Sequence, residues 1–319
     1  MTTGIVILNY NNAEDTINCI ESVLKYNTSD IKIVIVDNGS PNPMSVRNIR
    51  SYLAKTFSDN SLTVNEGENI EGETLPFVTL LISKDNSGYA KGNNKGLELL
   101  YKDDEVDRIM ILNNDILFIE DIIPQLNHYL DTLENAAIVS PLLLKKDKLS
   151  IDYNCARTAV DVNELIRLFL SYSLGLKGSH TEHKMLLRNP KLLNSEWFEI
   201  ELPSGSCMLM SKEYFESIGS FDSNTFLYYE ENILYEKVKH TGKKNYLIPN
   251  LRCVHLGAST TSKQVRTYPY LKKTNKSVRY FVKRYAAKTR IKKMMFEFVI
   301  NLYLFRKYIA WNIIYNRKQ

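Results

Sequence analysis

Three polar groups follow short apolar runs in the first half of the sequence, and a carboxylate pair and a histidine follow in the second half. Carboxylates can bind hard divalent cations or accept a proton as general bases, and amides can hydrogen-bond a sugar or a nucleotide. These residue types predict a polar ligand site with capacity for acid–base chemistry. The groups are Asn9-Tyr10-Asn11, Asp37-Asn38-Gly39-Ser40, Asn113-Asn114-Asp115, Glu230-Glu231 and His255.

The aspartates of the first half each have two interpretations. Asp115 follows the predicted strand 108–112, where a carboxylate could bridge a divalent cation to a diphosphate. Asp37 precedes an Asn-Gly turn and could orient a base or a ribose by accepting hydrogen bonds. Both residues also suit an ordinary turn, and the local pattern does not separate the two interpretations.

The second half offers a candidate general base and a candidate metal ligand. Glu230-Glu231 follows the aromatic run 226–229 and opens a helical stretch that reaches His240. The pair either stabilises the helix N-terminus or holds a carboxyl whose pKa is raised by the aromatic side chains. His255 ends an apolar stretch and fits either a structural histidine or a metal ligand.

A glycine-rich segment lies between the two aspartates. In 86–96, Gly88, Gly92 and Gly96 are spaced four residues apart, so a helix there can approach a sheet or a ligand closely. Its N-terminus and Lys91 can attract phosphate. The spacing matches neither the dinucleotide fingerprint nor a P-loop.

Alternating strand and helix patterns position these groups. Such alternation predicts βαβ units and a mostly parallel sheet, in which ligands bind beyond the carboxyl ends of the strands. We expect an exposed loop or short hairpin at 58–75 and a different architecture after Ile138. The predicted strands are 4–10, 31–36, 77–82 and 108–112, and the predicted helices are 17–24, 46–57 and 89–101.

Composition and charge divide the chain of 319 residues unevenly. The chain has 44% hydrophobic and 24% charged residues, which is the ordinary composition of a globular protein. Four scattered cysteines predict neither disulfides nor a zinc site and favour a reducing, cytoplasmic setting. No apolar run suits a signal peptide or a membrane span. The net charge of +5 is unevenly distributed. Residues 263–319 contain sixteen Lys and Arg but only one acidic residue, Glu297.

Twelve aromatic residues accompany the cations of the segment 263–319, which we call the basic tail. Basic and aromatic residues at helical spacing are typical of an interfacial helix on an anionic membrane. A helical hairpin packed on the main domain is the alternative. A nucleic-acid surface shares the charge but lacks a recognition motif, so no nucleic acid is expected.

The motifs, taken in order, resemble the inverting family-two glycosyltransferases with a GT-A fold, particularly a bacterial rhamnosyltransferase-like branch. The resemblance implies an α/β catalytic domain over 1–262, with its nucleotide-binding half at about 1–140 and its acceptor-binding half at about 141–262. The matching stretches are I-V-I-L-N-Y-N-N, I-V-I-V-D-N-G-S, N-S-G-Y-A-K-G-N-N-K-G-L, I-L-N-N-D, L-P-S-G-S-C-M-L-M-S, F-D-S-N-T-F-L-Y-Y-E-E and V-H-L-G-A-S.

The resemblance also implies roles for single residues. Asp115 would hold Mn²⁺ or Mg²⁺, with His255 as a further ligand. Glu231 would be the catalytic base, although Glu230 beside it is the other candidate. Gly205-Ser206 would shape the sugar and acceptor pocket. The residues expected to contact the nucleotide or its sugar are Asn9, Asp37, Asn86, Lys91, Asn94 and Asn114.

The expected reaction transfers a sugar from dTDP-rhamnose or a UDP-hexose to a hydroxyl of a lipid-linked glycan in bacterial surface polysaccharide synthesis. The protein would be cytoplasmic and peripheral on the inner face of the membrane, which it would contact through the basic tail, and self-association is compatible with this function. Two alternatives stay open, a sugar-phosphate nucleotidyltransferase and a non-catalytic binding protein of the same fold.

Overall fold

The computed structural model describes residues 1–68, 70, 74–176, 188–257 and 267–316, in which strands and helices alternate as predicted. The strands are β1 Thr2–Asn9, β2 Ile31–Asp37, β3 Ser61–Asn65, β4 Val78–Ile82, β5 Val106–Asn113, β6 Ile116–Phe118, β7 Ala136–Lys145, β8 Ala156–Arg157, β9 Phe198–Ile200, β10 Leu202–Pro203, β11 Cys207–Ser211 and β12 Lys244–His255. The helices are α1 Ala13–Tyr26, α2 Pro43–Phe57, α3 Tyr89–Tyr101, α4 Ile123–Thr132, α5 Val162–Leu174, α6 Pro190–Leu193, α7 Lys212–Ser217, α8 Glu230–His240, α9 Tyr268–Phe281 and α10 Arg290–Asn316.

One sheet of ten strands forms the centre of the molecule, in the order β3-β4-β2-β1-β5-β11-β7-β12-β6, and β9 also pairs with β12. The five strands from β3 to β5 are parallel, and β11 runs antiparallel to β5 and β7. Every residue of β2 is buried, as expected for a parallel strand covered on both faces. This confirms the predicted α/β fold with a mostly parallel sheet.

The expectation of a loop or hairpin at 58–75 is wrong in part. Residues Ser61–Asn65 form the edge strand β3, which pairs in parallel with β4 and therefore cannot be half of a hairpin. The sequence does not predict this strand because its residues are mostly polar. An edge strand can be polar because most of its side chains contact solvent, and in β3 only Val64 is buried.

The glycines of α3 allow the close packing that the sequence predicts. A Cβ atom at Gly92 would lie 2.6 Å from Leu8 Cδ1, and one at Gly96 would lie 2.8 Å from Val6 Cγ1. Gly88, at φ +89°, begins the helix where a Cβ would lie 2.3 Å from the Phe226 carbonyl oxygen. Because glycine has no side chain at these positions, α3 can pack directly against β1 and against the loop that precedes α8.

The basic tail packs on the main domain through its helices. Phe296 and Tyr303 of α10 contact Phe169 of α5, with ring centroids 5.5 and 5.4 Å apart. These residues belong to a third hydrophobic cluster, separate from the two that cover the faces of the sheet. The predicted boundary between Ser262 and Lys263 lies outside the described residues.

The opposite face of α10 is exposed and apolar. Its side chains recur every three or four residues and include Phe298, 70% exposed, and Phe305, 61% exposed. Within the described ranges, every helix is too short or too polar to cross a membrane. The exposed stripe comprises Ile291, Met294, Met295, Phe298, Leu302, Phe305, Tyr308, Ile309 and Ile313.

Candidate active site

The carboxyl ends of three neighbouring strands bring the first three polar groups together. β1 lies between β2 and β5, and in this register Asn9 is opposite Asp37 while Leu8 is opposite Asn113. The sequence places these groups at separate strand ends, and the parallel topology makes those ends one edge of the sheet.

Asn9 and Asp37 form a buried network at this edge. Asn9 Nδ2 donates to Asp37 Oδ2 at 2.7 Å, and Asp37 also accepts hydrogen bonds from the Ser40 amide at 3.0 Å and the Ser40 hydroxyl at 2.6 Å. Both side chains are almost wholly inaccessible. They fix the loop after β2, and no part of either lines the cavity described next.

Asn38 connects that loop to the start of α3. Its Nδ2 donates to Asn86 Oδ1 at 3.2 Å and to the Gly88 carbonyl at 3.1 Å, and its Oδ1 accepts from the Ser87 hydroxyl at 3.0 Å. The sequence places Asn38 in one of the polar groups but predicts no role for it, because an asparagine in an Asn-Gly turn is explained by the turn alone.

A first cavity of about 320 Å³ opens beyond these strand ends. Its lining combines amides and a carboxylate with aromatic and aliphatic side chains, a composition typical of pockets that bind small molecules. The lining residues are Leu8, Tyr10, Asn38, Asn86, Gly88, Tyr89, Asn113, Asn114, Asp115, Ser206, Phe226, Leu227, His255 and Tyr270.

Two further residues expected to contact the nucleotide, Asn94 and Lys91, lie outside this cavity, as Asn9 and Asp37 do. Asn94 donates to the Phe221 carbonyl oxygen at 2.8 Å and accepts from the Phe221 amide at 3.2 Å, so it connects α3 to the loop after α7. Lys91 is exposed on α3 and does not line the cavity. Asn86 and Asn114 do line it.

Asp115 and His255 meet on one wall of the first cavity. His255 ends β12, and its Nε2 lies 3.3 Å from Asp115 Oδ2, while its Nδ1 lies 2.8 Å from Asp152 Oδ2. Burial lowers the pKa of His255, but hydrogen bonds and charges from the two carboxylates outweigh it and raise the pKa to about 10. Without a metal, the imidazole is therefore a cation between two carboxylates at neutral pH.

The donor set on this wall fits a divalent cation. Asp115 Oδ1 is buried and finds no hydrogen-bond donor among the described residues, and carboxylate oxygen suits Mn²⁺ or Mg²⁺, while the imidazole nitrogen favours a transition metal such as Mn²⁺ over Mg²⁺. A bound cation would replace the proton that His255 shares with Asp115. In the described ranges no three His, Cys, Asp or Glu side chains are arranged as a metal site, so a diphosphate and water would complete the coordination.

The carboxylate pair begins α8, after two residues in the left-handed region. Tyr228 and Tyr229 have φ angles of 71° and 70°, which non-glycine residues rarely adopt and which often mark functional sites. Glu230 is buried, and its Oε1 has no hydrogen-bond partner among the described residues. Burial, and then the charge of Glu231, raise the pKa of Glu230 to about 8, so it is protonated at neutral pH.

Glu231 faces a second cavity, of about 640 Å³. Its Oε1 accepts a hydrogen bond from the Gly205 amide at 3.2 Å and lies 3.5 Å from Arg157 Nη2. His255 lines both cavities, whereas Asp115 lines only the first and Glu231 only the second. The second cavity therefore contains a carboxylate that can accept a proton, and the first cavity contains a candidate site for a cation that binds a diphosphate.

Two charged residues of the site escaped the sequence analysis, Asp152 and Arg157. Both lie in the short segments between β7 and α5, where no apolar pattern or motif surrounds them. Their contacts with His255 and Glu231 join parts of the chain that are distant in sequence. Only the fold could reveal them.

Residues 4–219 match the family model described as glycosyl transferase family 2. A curated relative is the low-salt glycan biosynthesis hexosyltransferase Agl10 of the archaeon Haloferax volcanii, 25% identical over 208 residues, which are 63% of this chain and 59% of the relative. The match therefore spans less than two thirds of that relative's length.

Solved structures show the same fold. GalNAc-T7 with UDP, GalNAc and Mn²⁺ superposes with a TM-score of 0.59 at 14% identity, covering 98% of this chain and 57% of that one. The mannosyltransferase PcManGT of Pyrobaculum calidifontis, with GDP-Man and Mn²⁺, gives a TM-score of 0.55 at 14% identity, covering 97% and 73%. The chain belongs to glycosyl transferase family 2 and has the GT-A fold.

Proposed function

We propose that this protein is an inverting glycosyltransferase that moves a sugar from a nucleotide-diphospho-sugar to a hydroxyl group. The observation that carries the proposal is the pair of cavities that meet at His255, with Asp115 facing the first and Glu231 lining the second. Such an arrangement suits in-line displacement, in which the hydroxyl and the departing diphosphate lie on opposite faces of the sugar.

Glu231 is the proposed catalytic base. Its carboxylate takes the proton of the acceptor hydroxyl while the hydroxyl oxygen bonds to the anomeric carbon and the bond from that carbon to the diphosphate breaks. The Gly205 amide and the Arg157 guanidinium hold the carboxylate in place. Glu231 is favoured over Glu230 because Glu230 is buried and outside both cavities, and burial raises its pKa to about 8.

The donor nucleotide is proposed to occupy the first cavity, with Asn86 and Asn114 in contact and Asn9 and Asp37 holding the loop beneath it. Asp115 and His255 would hold Mn²⁺ or Mg²⁺ there. When bound, such an ion neutralises the charge that develops on the departing diphosphate. Two protein ligands predict modest metal affinity without nucleotide.

The donor is proposed to be dTDP-rhamnose or a UDP-hexose. The curated relative is described as a hexosyltransferase and one structural neighbour contains UDP, which favour the second donor. The other neighbour contains GDP-Man, so a guanine nucleotide belongs in the test.

The acceptor is proposed to be a lipid-linked glycan of surface polysaccharide synthesis, reached at the cytoplasmic face of the membrane. The exposed apolar stripe of α10 supports this, since exposed cations accompany it on the same helix, among them Arg290 and Lys307. An apolar stripe beside basic residues suits an anionic lipid surface.

A thermal-unfolding screen tests the proposal directly. The full chain is heated with dTDP, UDP, GDP or CMP, each with Mn²⁺ and again with EDTA, because a ligand that binds only the native state raises its stability. We expect a shift with one nucleoside diphosphate that EDTA abolishes. No shift with any nucleotide at millimolar concentration would contradict the proposal and favour a non-catalytic protein of this fold.

A further inference from the structure

The second cavity is divided into a polar and an apolar end. Near Glu231 its lining carries Asn154, Arg157, Ser204 and Asn232. Farther along, its walls are mostly aliphatic and aromatic side chains of α5, α9 and α10, and the two polar ones from α9, Thr274 and Asn275, donate to the Leu271 carbonyl of their own helix. The apolar lining includes Leu165, Leu168, Phe169, Leu271, Val278 and Tyr303.

The polar end holds hydrogen-bond donors that find no acceptor among the described residues. Asn232 is 3% exposed and its Nδ2 is unpaired, and Arg157 Nε is also buried and unpaired. A buried donor without a partner costs free energy unless a ligand or water accepts its hydrogen bond. Both residues line the cavity next to the proposed base, so their donors are suited to oxygens of a sugar.

The apolar end is an open space lined by residues of the third hydrophobic cluster. Leu165, Phe169 and Val278 are buried, yet they border a cavity that a single sugar would leave mostly empty. Native interiors seldom keep large apolar voids, because the lining atoms lose contacts on that side. The cavity therefore has the composition and the volume for a ligand that is polar at one end and apolar at the other.

We infer that the second cavity binds the acceptor as an amphipathic glycoside, with its sugar at Arg157, Asn232 and Glu231 and its hydrocarbon aglycone between α5, α9 and α10. This inference rests on the proposed function and specifies its substrate class. The basic tail is thereby a wall of the acceptor site as well as a membrane-facing surface, and the hydrocarbon contacts supply binding free energy that a free sugar lacks.

The test compares two glycosides that share a sugar and differ in aglycone. Methyl β-D-glucoside and n-octyl β-D-glucoside, the latter below its micellar concentration, are titrated into the full chain by calorimetry without nucleotide. We expect the octyl compound to bind with one-to-one stoichiometry and at least tenfold more tightly, since each buried methylene adds to affinity. Equal affinities for the two compounds would overturn the inference.

Matched variants assign the binding to this cavity. Leu168 lines the cavity from α5 and Leu170 on the same helix is 40% exposed outside it. Leu168→Gln should lose most of the tenfold preference, and Leu168→Trp, which fills the space, should do the same. Leu170→Gln and the α10 stripe variant Phe298→Gln should keep it. A preference lost only in Phe298→Gln would place the probe on the exposed stripe and overturn the inference.

The outcome is separable from that of the proposed function. Nucleotide binding with Mn²⁺ but no preference for the octyl glycoside leaves the transferase proposal intact and removes this inference. An octyl preference that depends on Leu168, without any nucleotide binding, would show an amphipathic site but overturn its role as an acceptor site together with the transferase proposal.

Discussion

Glu230 and Glu231 are consecutive residues whose carboxyl groups occupy opposite environments. Glu230 is 4% exposed and lies outside both cavities, whereas Glu231 lines the second cavity and accepts a hydrogen bond from the Gly205 amide at 3.2 Å. One residue turns the side-chain direction by about 100° on a helix, so adjacent carboxyls need not share surroundings. The pair therefore divides into a buried acid and an accessible carboxylate.

Replacing the accessible carboxylate should stop the reaction without preventing donor binding. We expect Glu231→Gln to lower turnover of the donor identified by the unfolding screen by at least a hundredfold, as loss of a general base typically does. The nucleotide-induced unfolding shift should persist. Glu236→Gln makes the same change on α8 outside both cavities and should behave as wild type. A Glu231→Gln enzyme with half the wild-type rate would disprove the base assignment.

The buried acid should make stability fall as pH rises. The pKa of Glu230 is raised from 4.5 to about 8 by burial and by the charge of Glu231, so between these values the folded protein binds a proton that the unfolded chain releases. The free energy of unfolding then decreases by up to about 1.4 kcal/mol per pH unit across that window. Unfolding of wild type and Glu230→Gln from pH 5 to 9 should show the difference growing toward pH 8. Parallel profiles would contradict it.

Asp152 should orient His255 for metal binding. Its carboxylate lies 2.8 Å from His255 Nδ1, which leaves Nε2 directed toward Asp115, and such outer partners typically contribute ten- to hundredfold to metal affinity. We expect Asp152→Asn to weaken Mn²⁺ binding, followed by electron paramagnetic resonance with the matching nucleoside diphosphate, by about tenfold.

Asp147→Asn provides the control for that experiment, because Asp147 is an exposed turn residue that hydrogen-bonds only its own loop among the described residues. It should leave Mn²⁺ affinity unchanged. If Asp152→Asn binds Mn²⁺ as tightly as wild type, then His255 is held by other contacts or is not a ligand.

The sequence predicts the first half of the fold well because that half is made of repeated local signals. Short apolar runs ending in polar turns locate β1, β2 and β5, and parallel pairing then brings Asn9, Asp37 and Asn113 together. The edge strand β3 is missed because only one of its residues is buried, which removes the apolar signal.

The second half of the site depends on contacts that no local pattern encodes. Asp152 becomes a site residue only when β7 and β12 pair in parallel and bring His255 beside it, and Arg157 only when the start of α8 brings Glu231 within 3.5 Å. Lys91 is the opposite case, a residue predicted from a local pattern that the fold leaves outside the first cavity. A cation near a helix N-terminus suggests phosphate binding, but α3 turns this side chain toward solvent.

Gly205 is predicted to be required for the position of Glu231. A Cβ atom there would lie 2.8 Å from the Tyr89 hydroxyl oxygen and 3.2 Å from Glu231 Oε1, and the Tyr89 hydroxyl already donates to the Gly205 carbonyl at 2.6 Å. We expect Gly205→Ala to reduce turnover about tenfold or more, since small misplacements of a catalytic group are costly. Adding Tyr89→Phe removes the nearest clashing atom and should recover part of the rate. Wild-type turnover in Gly205→Ala would show that Glu231 tolerates the displacement.

The exposed stripe of α10 should control binding to anionic membranes. Deleting the whole basic tail would also remove Phe296 and Tyr303 from the third hydrophobic cluster, so point substitutions are the better test. We expect the double variant Phe298→Gln, Phe305→Gln to lose at least tenfold in affinity for vesicles containing anionic phospholipid, measured by co-flotation, because two exposed rings leave the lipid interface.

Leu149→Gln changes an 85% exposed apolar residue far from α10 in sequence and should bind as wild type. Raising the salt concentration should weaken the wild-type interaction, since the cations of α10 contribute through screened charges. Equal binding of the double variant and wild type would exclude the stripe as the membrane contact.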